Sequence, residues 1–250
     1  MLRMKKETLE TFIRRYTLGN LIPKVKWKYS AKDKTLHTRA LADNRCFIAD
    51  VVMTDFTELG DNDVVICIGD TEKVKAMMSP FDEDINIAIN KNGDRVLGFT
   101  LSDADCESYC TAADPTAIDP VPKNLQEIPE YHVVIPLTED FLTKFMKARS
   151  ALDDVDTFSV GMNKKGIFEM VVGYTTANSN RIRIAPQCAP DKNKIDAALS
   201  FPIKNLAAIF KANSDITDGV LSINSGGIIR VYFKNEKYTC SYYQFANKKS

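Results

Sequence analysis

Two histidines, six cysteines and two acidic clusters are the residues from which this chain could build a catalytic or metal centre. His37 and His132 fall within strand patterns, and neither accompanies a serine or cysteine nucleophile in a sharp strand-to-helix turn. Cys106 and Cys110 stand four apart, but no second pair and no histidine completes the ligand set of a zinc site. Cys46, Cys67 and Cys240 lie in strand-like runs and read as small buried hydrophobes. The clusters Asp82-Glu83-Asp84 and Asp153-Asp154-Asp156 lack the ligand order and central glycine of a calcium loop. No glycine-rich phosphate loop of either standard pattern occurs. The expectation is a protein that is not an enzyme and needs no metal or cofactor.

What remains is positive charge with a consistent address. Arg14, Arg15, Lys73, Lys75, Lys144, Lys147, Lys204 and Lys211 all fall on four short segments with helical periodicity. Each segment is net basic, the first when Lys5 and Lys6 just ahead of it are counted, while the formal charge of the whole chain balances at 33 against 33, so strands and loops are acidic by the same margin. Lysines on the solvent face of a helix are ordinary. Four helices that all lean basic within an acidic remainder predict a diffuse cationic surface for phosphates, one that reads no bases.

The segments that carry these charges are amphipathic. Leu9, Phe12, Ile13 and Tyr16 recur at i, i+3, i+4 and i+7, predicting a helix over Glu7–Leu18 with Arg14 and Arg15 opposite the apolar stripe. A second helix is expected over Thr71–Met78, with Thr71 as its N-cap and Pro80 as its stop. A third runs over Thr138–Leu152, where Lys144 and Lys147 point away from Phe141, Leu142 and Phe145. A fourth is opened by Pro202 and covers Ile203–Asn213, with Lys204 and Lys211 off the stripe of Leu206 and Phe210.

These helices belong to a repeat. Thr138–Leu152 leads into Asp156–Gly161, a turn at Gly166 and a strand; Ile203–Asn213 leads into Asp218–Ile223, a turn at Gly226-Gly227 and a strand. Such self-similarity decides the architecture before any local feature does. The first half carries the same order, with a hairpin expected around Asn92-Gly93. Ala113–Pro129 interrupts the pattern with Pro115, Pro120, Pro122 and Pro129, a density that blocks helix and sheet and favours a stiff connector. The expected fold is α+β: a domain over residues 1–112, a connector over 113–130 and a similar domain over 131–250, each with two helices packed on antiparallel sheets.

At 250 residues with 44% hydrophobic content, two moderate domains can each bury a core. No apolar run approaches the roughly 18 residues of a membrane span. The charged stretch Met1–Arg15 lacks the apolar core of a signal peptide. A reduced, cytoplasmic protein with no membrane partner is expected.

The organisation resembles a DNA polymerase sliding clamp, specifically that of the T-even-like tailed bacteriophages. The resemblance is carried by Ala112-Ala113-Asp114-Pro115-Thr116 opening the connector, by the helix Leu137–Leu152 entered from His132–Pro136, and by the N-terminal Leu9–Tyr16 helix. This chain departs from the pattern in extra length at Pro23–Lys34 and Pro186–Lys194, and in a basic tail at Lys248 and Lys249. The resemblance implies a homotrimeric ring that encircles double-stranded DNA, with one helix per repeat lining its inside. It also implies two protein partners, a DNA polymerase and an ATP-consuming clamp loader, inside the infected bacterial host. Both would dock a short peptide beside the connector, where Ile118, Val121 and Leu125 are the apolar residues expected to be exposed.

Helix dimensions support a ring of three. Helices about 10 Å across, twelve side by side, enclose a bore near 28 Å, enough for a duplex roughly 20 Å wide, whereas eight leave only about 15 Å. Four helices per chain then call for three copies joined head to tail. The competing expectation is a ring-forming phage structural protein of the tail or baseplate, which would assemble into larger particles and leave DNA synthesis unstimulated.

Overall fold

The chain repeats one order of elements four times: a strand, a helix, then three strands. The computed structural model describes residues 2–57, 60–121, 130–173, 179–188, 195 and 198–247. The first repeat is β1 (Leu2–Lys5), α1 (Lys6–Thr17), β2 (Val25–Ser30), β3 (Thr35–Leu41) and β4 (Phe47–Met53). The second is β5 (Val64–Ile68), α2 (Thr71–Met78), β6 (Asp84–Asn92), β7 (Arg95–Ser102) and β8 (Glu107–Thr111). The third is β9 (Val133–Pro136), α3 (Glu139–Ala151), β10 (Thr157–Met162), β11 (Phe168–Gly173) and β12 (Arg181–Ile184). The fourth is β13 (Leu199–Pro202), α4 (Ile203–Ala212), β14 (Gly219–Asn224), β15 (Ile228–Lys234) and β16 (Tyr238–Phe245). The α+β class with antiparallel sheets and four helices is the one expected.

The repeats are interlocked in pairs by their leading strands. β1 joins the three strands of the second repeat, giving the order β1-β6-β7-β8, while β5 joins those of the first, giving β5-β2-β3-β4. Likewise β9 pairs with β14 of the fourth repeat, and β13 pairs with β10 of the third. All four of these pairings are antiparallel. A lone repeat would leave its leading strand unpaired and its sheet one strand short. Two repeats therefore make the smallest self-sufficient piece.

The chain divides into two compact units on this basis. The first holds Met1–Val121 together with Asn235–Cys240; the second holds Pro122–Lys234 and Ser241–Ser250. The expected C-terminal domain, continuous over 131–250, therefore cedes a short segment to the first unit. There Thr54 N–H donates to the Lys237 carbonyl (2.9 Å), and the Tyr238 hydroxyl donates to the Thr8 carbonyl of α1 (2.9 Å).

Helix limits lie within a residue of those read from periodicity, but two caps differ. Asp70, not Thr71, caps α2, its carboxylate accepting from the Lys73 N–H at 3.0 Å. Thr71 is the first helical residue, its hydroxyl donating to the Pro23 carbonyl (2.8 Å). Pro202 ends β13 with extended backbone (φ −63°, ψ 120°), and α4 begins one residue later. In the β6–β7 hairpin the turn is made by Gly93 and Asp94, one residue beyond the expected pair. The register shifts at Asn90/Lys91, and Gly93 (φ 59°) takes the left-handed position. β1 and β8 carry too few apolar residues to be read from alternation. Cys67 and Cys240 are buried, whereas Cys46 is half-buried just before β4, its N–H held by the Asn44 side chain.

Each unit packs two helices on its sheets over an aromatic cluster. In the first, Phe12, Tyr16, Trp27 and Phe99 meet with ring centroids 5.4–6.5 Å apart, and Trp27 Nε1 donates to the Tyr16 hydroxyl (3.2 Å). In the second, Phe141, Phe145, Phe158, Phe201 and Phe210 form a cluster with centroids 5.3–6.4 Å apart and no polar atom among them. Edge-to-face contacts of this kind add about 0.5–1.5 kcal/mol per pair beyond area burial. These cores fix the rotation of each helix, and so decide which side chains face water.

Candidate nucleic-acid interface

Rotation sorts the eight expected cations. In α1, Arg14 is exposed, but Arg15 is wholly buried (0% exposed) and is no part of a solvent-facing surface. At about 100° per residue Arg14 falls nearly opposite the Leu9–Tyr16 stripe, whereas Arg15 falls on its flank, beside Phe12. The Arg15 guanidinium lies 3.9 Å over the Tyr238 ring, and one of its nitrogens is 3.9 Å from the Cys240 sulfur. The buried cation thus ties α1 to the segment returned from the end of the chain.

A comparison between helices explains the exchange. Counted from the first helical residue, Arg14, Lys147 and Lys211 all stand ninth in α1, α3 and α4, and all three are exposed. Arg15, Ala148 and Ala212 stand tenth, and all three are buried. Where α3 and α4 meet their sheets with a methyl group, α1 buries a guanidinium. In these three helices the ninth position is therefore an outward cation, and the tenth faces inward, with a cation there in α1. α2 has only eight residues and ends before either position.

The remaining lysines fall into two groups. Lys75 bonds Glu72 (3.0 Å), Lys144 bonds Asp140 (2.7 Å) and Lys204 bonds Asp156 (2.9 Å), all with both partners at least two-fifths exposed. Exposed pairs of this kind are worth about 0–1 kcal/mol and are easily exchanged for a phosphate. Lys73, Lys147 and Lys211 make no ion pair among the described residues. Lys147 and Lys211 come together on the rim of a groove of about 660 Å³ between α3 and α4, floored by Leu142, Met146, Phe210 and Ile216. Lys144 lies on the other flank of α3, beside the end of β12, at a cavity of about 440 Å³ shared with Asp140 and Phe141. In the first unit Lys73 borders a cavity of about 370 Å³ with Val74, Met77 and Tyr109. Among the described residues these cations are thus spread over several helix faces, with Lys147 and Lys211 sharing one groove.

Two titratable groups brace the helices of the first unit. Burial pushes the Tyr16 hydroxyl well above its ordinary range, so it stays protonated within hydrogen-bond reach of Thr71 (3.4 Å) and Trp27 (3.2 Å). Burial would raise the Asp55 carboxyl, but hydrogen bonds from Lys237 (2.8 Å) and from Thr8 of α1 (3.0 Å) outweigh it and hold the group below its usual range.

The expected partner-peptide residues are not a common exposed patch. Ile118 is buried (7% exposed), Val121 is half-buried, and Leu125 lies outside the described residues. Ala113 N–H donates to the Cys67 carbonyl (2.7 Å), and a 3₁₀ turn over Pro115–Ala117 is capped by Asp114, whose carboxylate accepts from the Thr116 N–H and hydroxyl. Those bonds hold the Asp114 carboxyl below its usual range. Asp119 then pairs with Arg45 at 3.5 Å. The start of the connector is pinned down, and Ile118 is one of its anchors.

No protein-family model and no curated protein matches the sequence. The fold, however, matches solved structures over nearly the whole chain. Proliferating cellular nuclear antigen (PCNA) from Entamoeba histolytica superposes with a TM-score of 0.72 at 14% identity, covering 98% of each chain. PCNA of A. fulgidus, solved with the C-terminal region of FEN-1 bound, gives 0.73 at 16% identity, covering 100% of this chain and 98% of that one. The PCNA2–PCNA3 complex from Sulfolobus tokodaii gives 0.71 at 12% identity, covering 99% of each. This chain has the PCNA-type clamp fold.

Proposed function

We propose that this chain is the subunit of a sliding clamp: a homotrimeric ring that closes around duplex DNA and holds a polymerase to its template. The observation that carries the reading is the outward cation at one position of three helices, Arg14, Lys147 and Lys211, on a fold shared end to end with PCNA. Scattered lysines and arginines attract phosphate without reading sequence, and weak contacts let a ring slide. Retention is then topological, and no single contact has to be strong. Lys73, Lys75, Lys144 and Lys204 complete the phosphate-facing set.

Ring closure needs two unlike surfaces on each subunit. β8 and β12 are both edge strands of four-stranded sheets, in different units. Glu107 is exposed on β8, and Arg181 and Arg183 are exposed on β12. Antiparallel pairing of one copy's β8 with the next copy's β12 satisfies both open edges and matches charge to charge. The setting we propose is replication in a T-even-like tailed phage, with a separate ATPase as loader and no cofactor in the clamp itself. The bound FEN-1 segment of the A. fulgidus structure supports a peptide-docking role, which here would use Val121 and its neighbours in the connector.

Native mass spectrometry tests the reading. Three copies of a 28.0 kDa chain give a species of about 84 kDa. A monomer at micromolar concentration, or an open-ended series of higher assemblies, contradicts it, the latter favouring a structural phage component.

A further inference from the structure

Four large hydrophobic side chains stand out as exposed among the described residues: Val65 (46%), Leu97 (40%), Tyr109 (48%) and Ile167 (51%). Three of them, Val65, Leu97 and Tyr109, line one groove of about 510 Å³ in the first unit. Single exposed apolar residues need no explanation, but three converging on one concave surface do.

The groove is built and charged. Tyr109 lies across Gly98, where an added Cβ would stand 2.7 Å from the Tyr109 hydroxyl oxygen and 2.4 Å from the Cys110 carbonyl oxygen. The absence of a side chain at position 98 is what seats the ring. On β8 the neighbouring Ser108 and Cys110 approach Met77 of α2 (3.3 and 3.8 Å), whereas Tyr109 between them is exposed. The rim carries Lys26 and Arg95 against Asp94, with Asp114 of the adjoining connector within electrostatic reach of Arg95. Lys28, exposed, is the register partner of Val65 on the neighbouring strand and adds a third cation.

We propose that this groove docks an extended segment of a partner protein in which apolar anchors alternate with carboxylates. The apolar side chains would seat on Val65, Leu97 and Tyr109, and the carboxylates would meet Lys26, Lys28 and Arg95. An aromatic residue held rigid beside an arginine is the composition of an interface anchor point. A volume near 500 Å³ accommodates several side chains of an extended strand. The site is distinct from the helix cations and borders the start of the connector, where Ala113 and Pro115 form part of its wall. It does not depend on the clamp reading, since a chain that never enclosed DNA could still bind here.

The test is fluorescence anisotropy of the full chain with a labelled peptide of alternating leucine and aspartate, beside a leucine–lysine counterpart. The acidic peptide is expected to bind, and more weakly as salt rises. Leu97→Glu, and separately the pair Lys26→Glu and Arg95→Glu, should each weaken it at least tenfold, while Leu97→Met retains it. Val65→Glu, on a different strand, repeats the loss should Leu97→Glu fail to fold. Native mass of the folded variants should equal that of the wild type. Absence of binding, equal binding of the lysine peptide, or wild-type affinity in the folded variants overturns the proposal. A fall in oligomeric mass on Leu97→Glu also overturns it, because the occupant is then a second copy of this chain.

Discussion

The two helix pairs share one architecture and differ in what they bury. α3 and α4 rest on a cluster of five phenylalanines, with Ala148 and Ala212 closing the contact. α1 and α2 rest on Tyr16 and Trp27, joined by a hydrogen bond, and α1 adds the buried Arg15 over Tyr238. An apolar core tolerates any partner of the right volume, whereas a buried cation demands one particular ring. The first unit thus specifies its last piece chemically, namely the returning segment Asn235–Cys240. The second holds its helices on the phenylalanine cluster and ties the end of α4 to β16 by a hydrogen bond from the Asn213 amide to the Tyr242 hydroxyl (2.9 Å), and both of its ninth-position cations stay at the surface.

The largest effect should come from the apolar side of this comparison. Phe145→Ala removes the centre of the phenylalanine cluster and should cost roughly 3–5 kcal/mol in chemical denaturation. Loss of only the second unit's transition would show that the two cores are energetically separate. Arg15→Met keeps much of the volume but removes the cation over the ring, and should cost about 2 kcal/mol. DNA retention by this variant should equal that of the wild type once folded. A DNA defect with unchanged stability would return Arg15 to the phosphate-facing set.

The charge comparison runs the other way. Arg14→Glu, Lys147→Glu and Lys211→Glu together should shift stability by no more than about 0.5 kcal/mol each, yet abolish salt-sensitive DNA association measured by filter binding. Full binding by the triple variant would remove the ninth-position rule.

The smallest effect is titrational. The folded Asp55 carboxyl is held below its unfolded value of about 3.9. Its contribution is therefore present above that value and lost as pH falls through the lower folded one. Asp55→Asn should be slightly less stable than wild type at pH 7 and indistinguishable from it near pH 2, as read by thermal melting. A difference that persists undiminished at low pH would assign the loss to packing and not to charge.

Much of this fold is legible in the sequence, because helical stripes such as Leu9, Phe12, Ile13 and Tyr16 are long enough to carry a period. The leading strands are not. β1 spans only four residues, too short for the alternation of Leu2 and Met4 to stand out, and β8 alternates among Glu107, Tyr109 and Thr111; the exchange of leading strands between repeats depends on pairing across the chain. The cationic set is legible except where position on the helix decides by a few tens of degrees. Arg15 sits at the stripe's edge, and the Tyr238 ring that covers its guanidinium lies more than two hundred residues away. Alignment of α1, α3 and α4 by their first residue exposes the alanines at the equivalent position, but only with the observed starts, which differ by one residue from those expected for α1 and α3. Ile118 gives no such sign, since the connector's start is held by a bond from Ala113 to Cys67, 46 residues earlier, that no local pattern announces.

Encirclement itself is tested most directly by topology. The protein is mixed with circular duplex DNA, crosslinked, washed in high salt, and the DNA is then cut once. A closed ring predicts retention on the circle through the wash and release after the cut. Loss in the wash, or retention that cutting leaves unchanged, contradicts it.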